Sequence, residues 1–173
     1  MLNKKAVLLF ISFLSIVQSV FAFNVFDAPA SVADIVKIIP EFKDVNCQFR
    51  QEKFVPTSNI TLVSGGKFKF EKNKGVTFYF MYPINTTISY SNKDFKQISN
   101  VLNAISNKSY TSLEKDFNFF FQKSKSFWII GLVPKNNSPL HKRIKSIQIE
   151  GESSISKMII LFGDNSRSTI SWY

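Results

Sequence analysis

The stretch LVSGGKFKFEKNKGVTFYFMYP, residues 62–83, contains two different kinds of strand joined by a turn. In residues 67–72 charged and aromatic side chains alternate, which predicts a strand with one face on a core and the other in water. After the turn at residues 73–75, residues 76–82 are apolar or aromatic on both faces. A single-layer antiparallel sheet in water should have one polar face. The second apolar face of this strand therefore requires something that covers it.

Three further predicted strands are apolar on both faces: residues 117–121, 127–130 and 158–162. Helices or a second sheet could cover the additional face, or copies of the chain could associate through it. Alternatively, the sheet could curl so that its inner face lines a cavity for an apolar ligand. The pattern predicts few helices, and this shortage favours the cavity.

The rest of the chain predicts a mainly β fold with a few short helices. Ser31 is a good N-cap, and apolar residues at helical spacing up to Ile39 predict a helix that ends near Pro40. One or two short helices are expected between Val101 and Lys115. Turn residues separate the predicted strands, which are residues 45–55, 62–71, 76–82, 86–90, 95–99, 117–123, 127–133, 144–150, 155–162 and 168–172. The fold class is therefore α+β, mainly β, with about ten antiparallel strands in one domain.

The amino terminus predicts export. Lys4 and Lys5 precede an uncharged run, and Val20 and Ala22 fit the −3 and −1 positions of a cleavage site. We therefore expect a signal peptide over residues 1–22 and a mature domain over residues 23–173, with retention as an anchor as the alternative. Loss of the two lysines changes the net charge from +10 to about +8. Such a basic surface suits nucleic acid, anionic lipid or acidic proteins, and export argues against nucleic acid.

The inventory of reactive side chains argues against an enzyme. The single histidine, His141, lies in a polar loop, and the single cysteine, Cys47, alternates with Val45 and Phe49 as a buried thiol would. One imidazole and one thiol cannot form a nitrogen or sulfur metal site within one chain. No phosphate-binding loop or nucleophile elbow occurs. We expect no catalysis, no cofactor and no metal.

Several short motifs in a fixed order resemble those of the outer-membrane lipoprotein carrier family, the LolA-like proteins. They are residues 49–53 (FRQEK), 64–70 (SGGKFKF), 75–78 (GVTF) followed by Pro83, 132–135 (LVPK), 147–150 (IQIE), 155–161, and Gly163–Asp164 leading to Thr169–Ile170. The resemblance runs from about Ala30 to Tyr173. It implies an unclosed antiparallel β-barrel with short helices covering an apolar cavity for acyl chains. It also implies a monomeric shuttle in the periplasm of a Gram-negative bacterium, without catalysis or cofactor.

The resemblance also implies particular site residues. The family's cavity-facing aromatic residue falls on Phe78, and period-two alternation adds other residues to its face. The predicted acyl-binding residues are Phe68, Phe70, Val76, Phe78, Phe80 and Tyr82. The family's basic residue at the cavity rim falls on Lys72. Here Lys72 and Asn73 stand where the family has Arg-Pro.

The implied partners are an acylated lipoprotein or another lipid as cargo, an inner-membrane release machinery and an outer-membrane acceptor. Lipoprotein and glycolipid cargo both remain open. The alternative function is an exported structural or interaction module that uses an exposed apolar sheet face. Replacing Phe78 with Glu is expected to abolish acyl uptake without unfolding the chain.

Overall fold

The structure is a computed structural model, and it describes residues 24–71, 74–89 and 96–173. Three α-helices lie in this part of the chain: α1 (Val32–Ile38), α2 (Lys96–Ser106) and α3 (Thr111–Glu114). A short 3-10 turn, Val25–Asp27, precedes them. The strands are β1 (Val45–Val55), β2 (Ile60–Glu71), β3 (Gly75–Tyr82), β4 (Thr86–Ser89), β5 (Phe117–Lys123), β6 (Trp128–Pro134), β7 (Ile144–Gly151), β8 (Ile155–Phe162) and β9 (Arg167–Trp172).

These nine strands form one antiparallel sheet in the order β4-β3-β2-β1-β9-β8-β7-β6-β5. Every pair except β1 with β9 joins strands that are consecutive in sequence. The two edge strands, β4 and β5, do not pair with each other, so the barrel is unclosed. This confirms the predicted fold class, with nine strands in the described part of the chain.

The sheet curls around its own apolar face. Val76 on β3 and Phe117 on β5 lie near opposite ends of the strand order, yet both belong to one contiguous buried cluster. Ile35 of α1 and Leu102 and Ile105 of α2 join the same cluster and are 0–1% exposed. The helices therefore cover the inner face of the curled sheet.

The outer face is covered in one place and open in another. On β5 and β6 the side of Phe120 and Gly131 faces outward, and Phe26 from the amino-terminal segment packs there, with its ring centroid 5.7 Å from that of Phe120. On β3 the outward side chains of Tyr79 and Met81 are 40% and 57% exposed. The outer face of β5 and β6 is thus covered by the amino-terminal segment, whereas the outer face of β3 is exposed to solvent.

The amino-terminal segment also extends the sheet at β5. The N–H of Ala30 donates to the carbonyl oxygen of Phe119, and the N–H of Phe121 donates to that of Ala28, each at 3.0 Å. An isolated bridge pairs Pro29 with Phe120. Residues 28–30 therefore lie along the outer edge of the sheet.

One predicted helix is confirmed, and one predicted strand is wrong because its residues form a helix. At α1 the Ser31 hydroxyl accepts from the N–H of Asp34 at 3.3 Å, as expected of an N-cap. Residues 95–99 were predicted as a strand, but residues 96–99 form the first turn of α2. Among the described residues, no helix has the length and apolar character needed to cross a membrane.

Candidate functional site

Four of the six predicted acyl-binding residues lie together in the core. Phe68, Phe70, Val76 and Phe78 are 1–7% exposed on the inner face of β2 and β3. The ring of Phe78 meets those of Phe49 and Phe68 edge to face, each with centroids 4.9 Å apart. Edge-to-face geometry at this distance is favourable for aromatic rings. The predicted face exists, but here its rings pack against each other.

Phe78 is too deeply buried for the substitution proposed from the sequence. At 1% exposure, a glutamate in its place would put an unpaired carboxylate among aromatic rings. We therefore revise the expectation that Phe78→Glu leaves the fold intact, and predict that this substitution unfolds the chain. Residues nearer to solvent are needed to test binding.

Phe80 and Tyr82 do not share one face, because β3 is irregular at its end. The register shifts by one residue, so that Gly66 pairs with Phe80 but Gly65 pairs with Tyr82. Phe80 stays inside, 5.0 Å from the ring of Phe49. Tyr82 lies over Gly65 on the outer face and is 41% exposed. The prediction that Tyr82 faces the interior is wrong, because a bulge reverses the alternation.

Gly66 makes this irregularity possible. A Cβ at Gly66 would lie 2.9 Å from the backbone nitrogen of Met81 and still closer to the carbonyl oxygen of Tyr79. The backbone of β3 therefore crosses a position that a side chain would occupy. The close approach requires glycine at this position of β2.

The predicted rim residue Lys72 lies outside the described residues, but its neighbour Glu71 has a defined setting. The Glu71 carboxylate accepts from Lys74 Nζ at 3.0 Å and pairs with Lys69 Nζ at 3.0 Å. Hydrogen bonds from Lys69 and then Lys74 lower the pKa of Glu71. The end of β2 is thus a cluster of ion pairs at the surface.

The inner face holds a narrow apolar cleft of about 30 Å³ between α2 and the sheet. It is lined by side chains from five regions that are distant in sequence: Phe42, Val45, Cys47, Phe68, Phe70, Leu102, Ser106, Ser154, Ile155 and Trp172. This volume is about that of one water molecule. This cleft is far smaller than the cavity expected from the resemblance, because α2 and the aromatic rings fill the space between them.

Two of the lining residues, Cys47 and Trp172, have polar groups whose surroundings are unusual. Cys47 is half-buried, and its loss of hydration raises the pKa of the thiol. Trp172 is 9% exposed, and its indole N–H has no acceptor among the described residues. Sequence reasoning missed Trp172, Leu102 and Phe42 because β9, α2 and the α1–β1 connection meet here only in the folded chain.

A larger cleft of about 580 Å³ lies on another side of α2. Polar residues supply about half of its wall, among them Asn100 and Asn103 of α2, Asn107 just after α2, Ser112 of α3, and Lys115 and Asp116 just after α3. The side-chain oxygens of Asn103 and Asn107 are buried and have no hydrogen-bond partner within residues 24–71, 74–89 and 96–173. Six apolar residues complete the wall: Val101, Ala104, Leu113, Phe117, Pro139 and Leu140. We call it the polar cleft because an acyl chain there would displace water from the Asn103 and Asn107 amides.

The histidine and the acidic side chains of the described residues form no metal cluster. His141 is exposed in the loop between β6 and β7, as its sequence context indicated. No group of three or more His, Cys, Asp or Glu within the described ranges could hold a metal ion. The narrow apolar cleft is therefore the candidate site.

Comparison with solved structures finds a LolA superfamily protein from Nitrosomonas europaea. The two chains are 8% identical, with a TM-score of 0.39, and the match covers 83% of this chain and 92% of the other. A likeness at this level carries no argument about the fold or the function of the chain. No protein-family model and no curated protein sequence matches the chain.

Proposed function

We propose that the protein is a periplasmic carrier that binds acyl chains of lipoproteins or related lipids and moves them towards the outer membrane. The observation that carries the proposal is the apolar cleft, which is bounded on one side by α2 and on the other by the aromatic inner face of the sheet. No chemistry is required of such a protein.

The cleft can widen without breaking the sheet. Leu102 and Ile105 of α2 cover the inner face through apolar contacts, and the N–H of Phe42 donates to the carbonyl oxygen of Ser106 at 3.4 Å. Strand pairing on both sides of β1 is independent of these contacts. Displacement of α2 therefore opens the interior while the ladder hydrogen bonds remain.

The energy of acyl burial is sufficient for this opening. Each methylene removed from water contributes about 0.8 kcal/mol, so roughly ten methylenes contribute about 8 kcal/mol. Exposing a side chain such as Leu102 or Ile105 costs about 1.5–3 kcal/mol each. An acyl chain thus offsets the exposure of these two side chains, and the return of α2 to the sheet favours release.

The basic surface and the predicted signal peptide support a location beside membranes outside the cytoplasm. The whole chain has a formal net charge of +10, and anionic lipid headgroups attract such a surface. We accordingly propose membrane-bound donor and acceptor proteins as partners and a monomer as the working state.

The proposal is tested by isolating the mature protein from its own compartment and identifying co-purifying acyl lipids by mass spectrometry. Binding of a fluorescent fatty acyl probe should be saturable, and Val45→Asp should abolish it, because Val45 is half-buried in the cleft wall. The matched control is Asn46→Asp on the neighbouring exposed position. An empty protein that also fails to bind the probe would refute the carrier function.

A second candidate function rests on exposed apolar residues of β2, β3 and the turn after β3. Leu62, Met81 and Ile84 are 54%, 57% and 73% exposed. These residues suit a module that associates with a partner or with itself. Sedimentation separates the two functions, since self-association that persists in lipid-free and lipid-loaded protein would favour the module.

A further inference from the structure

The two tryptophans of the chain differ in how their indole N–H groups are satisfied. Trp128 is 3% exposed, and its Nε1–H donates to the carbonyl oxygen of Glu152 at 2.7 Å. Trp172 is 9% exposed, and its Nε1–H is buried without an acceptor in the part of the chain that the structure describes. The fold therefore satisfies one buried indole and leaves the other unpaired.

An unpaired buried donor requires an explanation. Leaving such a group without a partner costs about 1–3 kcal/mol. Packing alone does not demand an indole at position 172, because its ring lies edge to face on Phe68 with centroids 5.4 Å apart, a contact that another aromatic ring could also make. The N–H of Trp172 is thus available for a ligand.

The position of this donor defines the ligand. Trp172 lines the narrow cleft together with Phe42, Phe70 and Leu102, so the donor lies among groups that suit a hydrocarbon chain. No lysine or arginine is among the described residues of this wall. A carboxylate or phosphate would therefore lack a countercharge, whereas a neutral carbonyl accepts one hydrogen bond at little cost.

We infer that the indole N–H of Trp172 donates a hydrogen bond to the carbonyl oxygen of the bound acyl group, an ester or amide. The inference rests on the proposed function and adds to it the class of acyl group that the site selects. A carbonyl held at Trp172 fixes the depth of the acyl chain and favours acyl esters and amides over ethers of the same length.

The test uses two glycerol lipids that differ only in the carbonyl, monodecanoylglycerol and its ether analogue decylglycerol. Their affinities for the full mature protein are measured by displacement of a fluorescent acyl probe. One hydrogen bond of about 0.5–1.5 kcal/mol corresponds to a preference of roughly twofold to twelvefold for the ester. Trp172→Phe should remove this preference by weakening ester binding alone.

Trp128→Phe is the matched control and should keep the preference for the ester. Equal affinity of the wild type for ester and ether, or an ester preference that survives Trp172→Phe, would overturn the inference and leave the carrier function standing. Failure of the wild type to bind either lipid would overturn both.

A second measurement does not depend on the variant folding. In the wild type, the Trp172 indole proton resonance, assigned against Trp128→Phe, should move downfield with the ester and not with the ether. An unchanged resonance under ester saturation would show that the donor holds a water molecule or nothing and would reject the inference.

Discussion

The two clefts beside α2 differ in size and in chemistry, and the proposed acyl ligand would enter the smaller one only when α2 moves. The polar cleft is about 580 Å³, and the apolar cleft is about 30 Å³. Adjacent residues of the same helix face them, with Asn103 lining the first and Leu102 the second. Cavity volume in one conformation is thus a poor guide to a ligand whose burial can open its own site.

The difference between the two clefts is tested most strongly by replacing the two adjacent residues of α2 with alanine. Leu102→Ala should lower the free energy of unfolding by about 2–5 kcal/mol, because Leu102 is 1% exposed in the core. Asn103→Ala should leave it unchanged or raise it, because the substitution removes a buried amide oxygen that has no partner among the described residues. Denaturant unfolding measures both.

An equal loss of stability in the two variants would show that α2 is held as firmly on its polar side as on its apolar side. Such a result would remove the argument that α2 opens away from the sheet.

The native thiol reports which cleft the ligand occupies. Cys47 lines the apolar cleft, so an acyl ligand at ten times its dissociation constant should slow alkylation of Cys47 by about tenfold. Alkylation of a cysteine introduced in the polar cleft, Ser112→Cys in a Cys47→Ala background, should not respond. Mass spectrometry of the alkylated chain gives both rates.

Protection of the introduced cysteine in place of Cys47 would reverse the assignment of the two clefts. It would also move the proposed acyl site to the polar side of α2.

The smallest expected effect is the pH dependence that Cys47 introduces. Burial raises the pKa of the Cys47 thiol, so the unfolded chain loses this proton before the folded protein does. The free energy of unfolding should therefore fall as the pH rises through the ordinary thiol range near about 8.5. Denaturant unfolding of the wild type and Cys47→Ala between neutral and alkaline pH measures the difference, which should disappear in the variant.

An identical pH dependence in the two proteins would mean that Cys47 is hydrated in the folded state. The apolar cleft would then be open to water without a ligand.

Local pattern predicted most strands but failed where structure is set by distant contacts. Alternation in residues 67–72 and the turn residues after them placed β2 and β3 correctly, because burial of one face imposes period two. The same rule failed at Tyr82, where a bulge opposite Gly66 shifts the register. An extra residue in a strand leaves no mark in its hydrophobic pattern.

Only some residues of the candidate site could be predicted from the sequence. Phe68 and Phe70 were predicted as lining residues from the alternation and the family resemblance, and they do line the apolar cleft. Trp172 was not, because its place depends on the pairing of β9 with β1, at opposite ends of the domain. Sequence separation between the first and last strands hides such a neighbour from any local rule.

The amino-terminal segment along β5 has a consequence for the protein at high concentration. A bare edge strand offers unpaired backbone groups to a second chain and so invites aggregation. Residues 28–30 already occupy part of that edge, and Pro29, which has no N–H, faces outward from it as a poor template for a further strand. The β5 edge is thereby protected from pairing with the strands of a second chain, while apolar side chains of β3 remain exposed near the β4 edge.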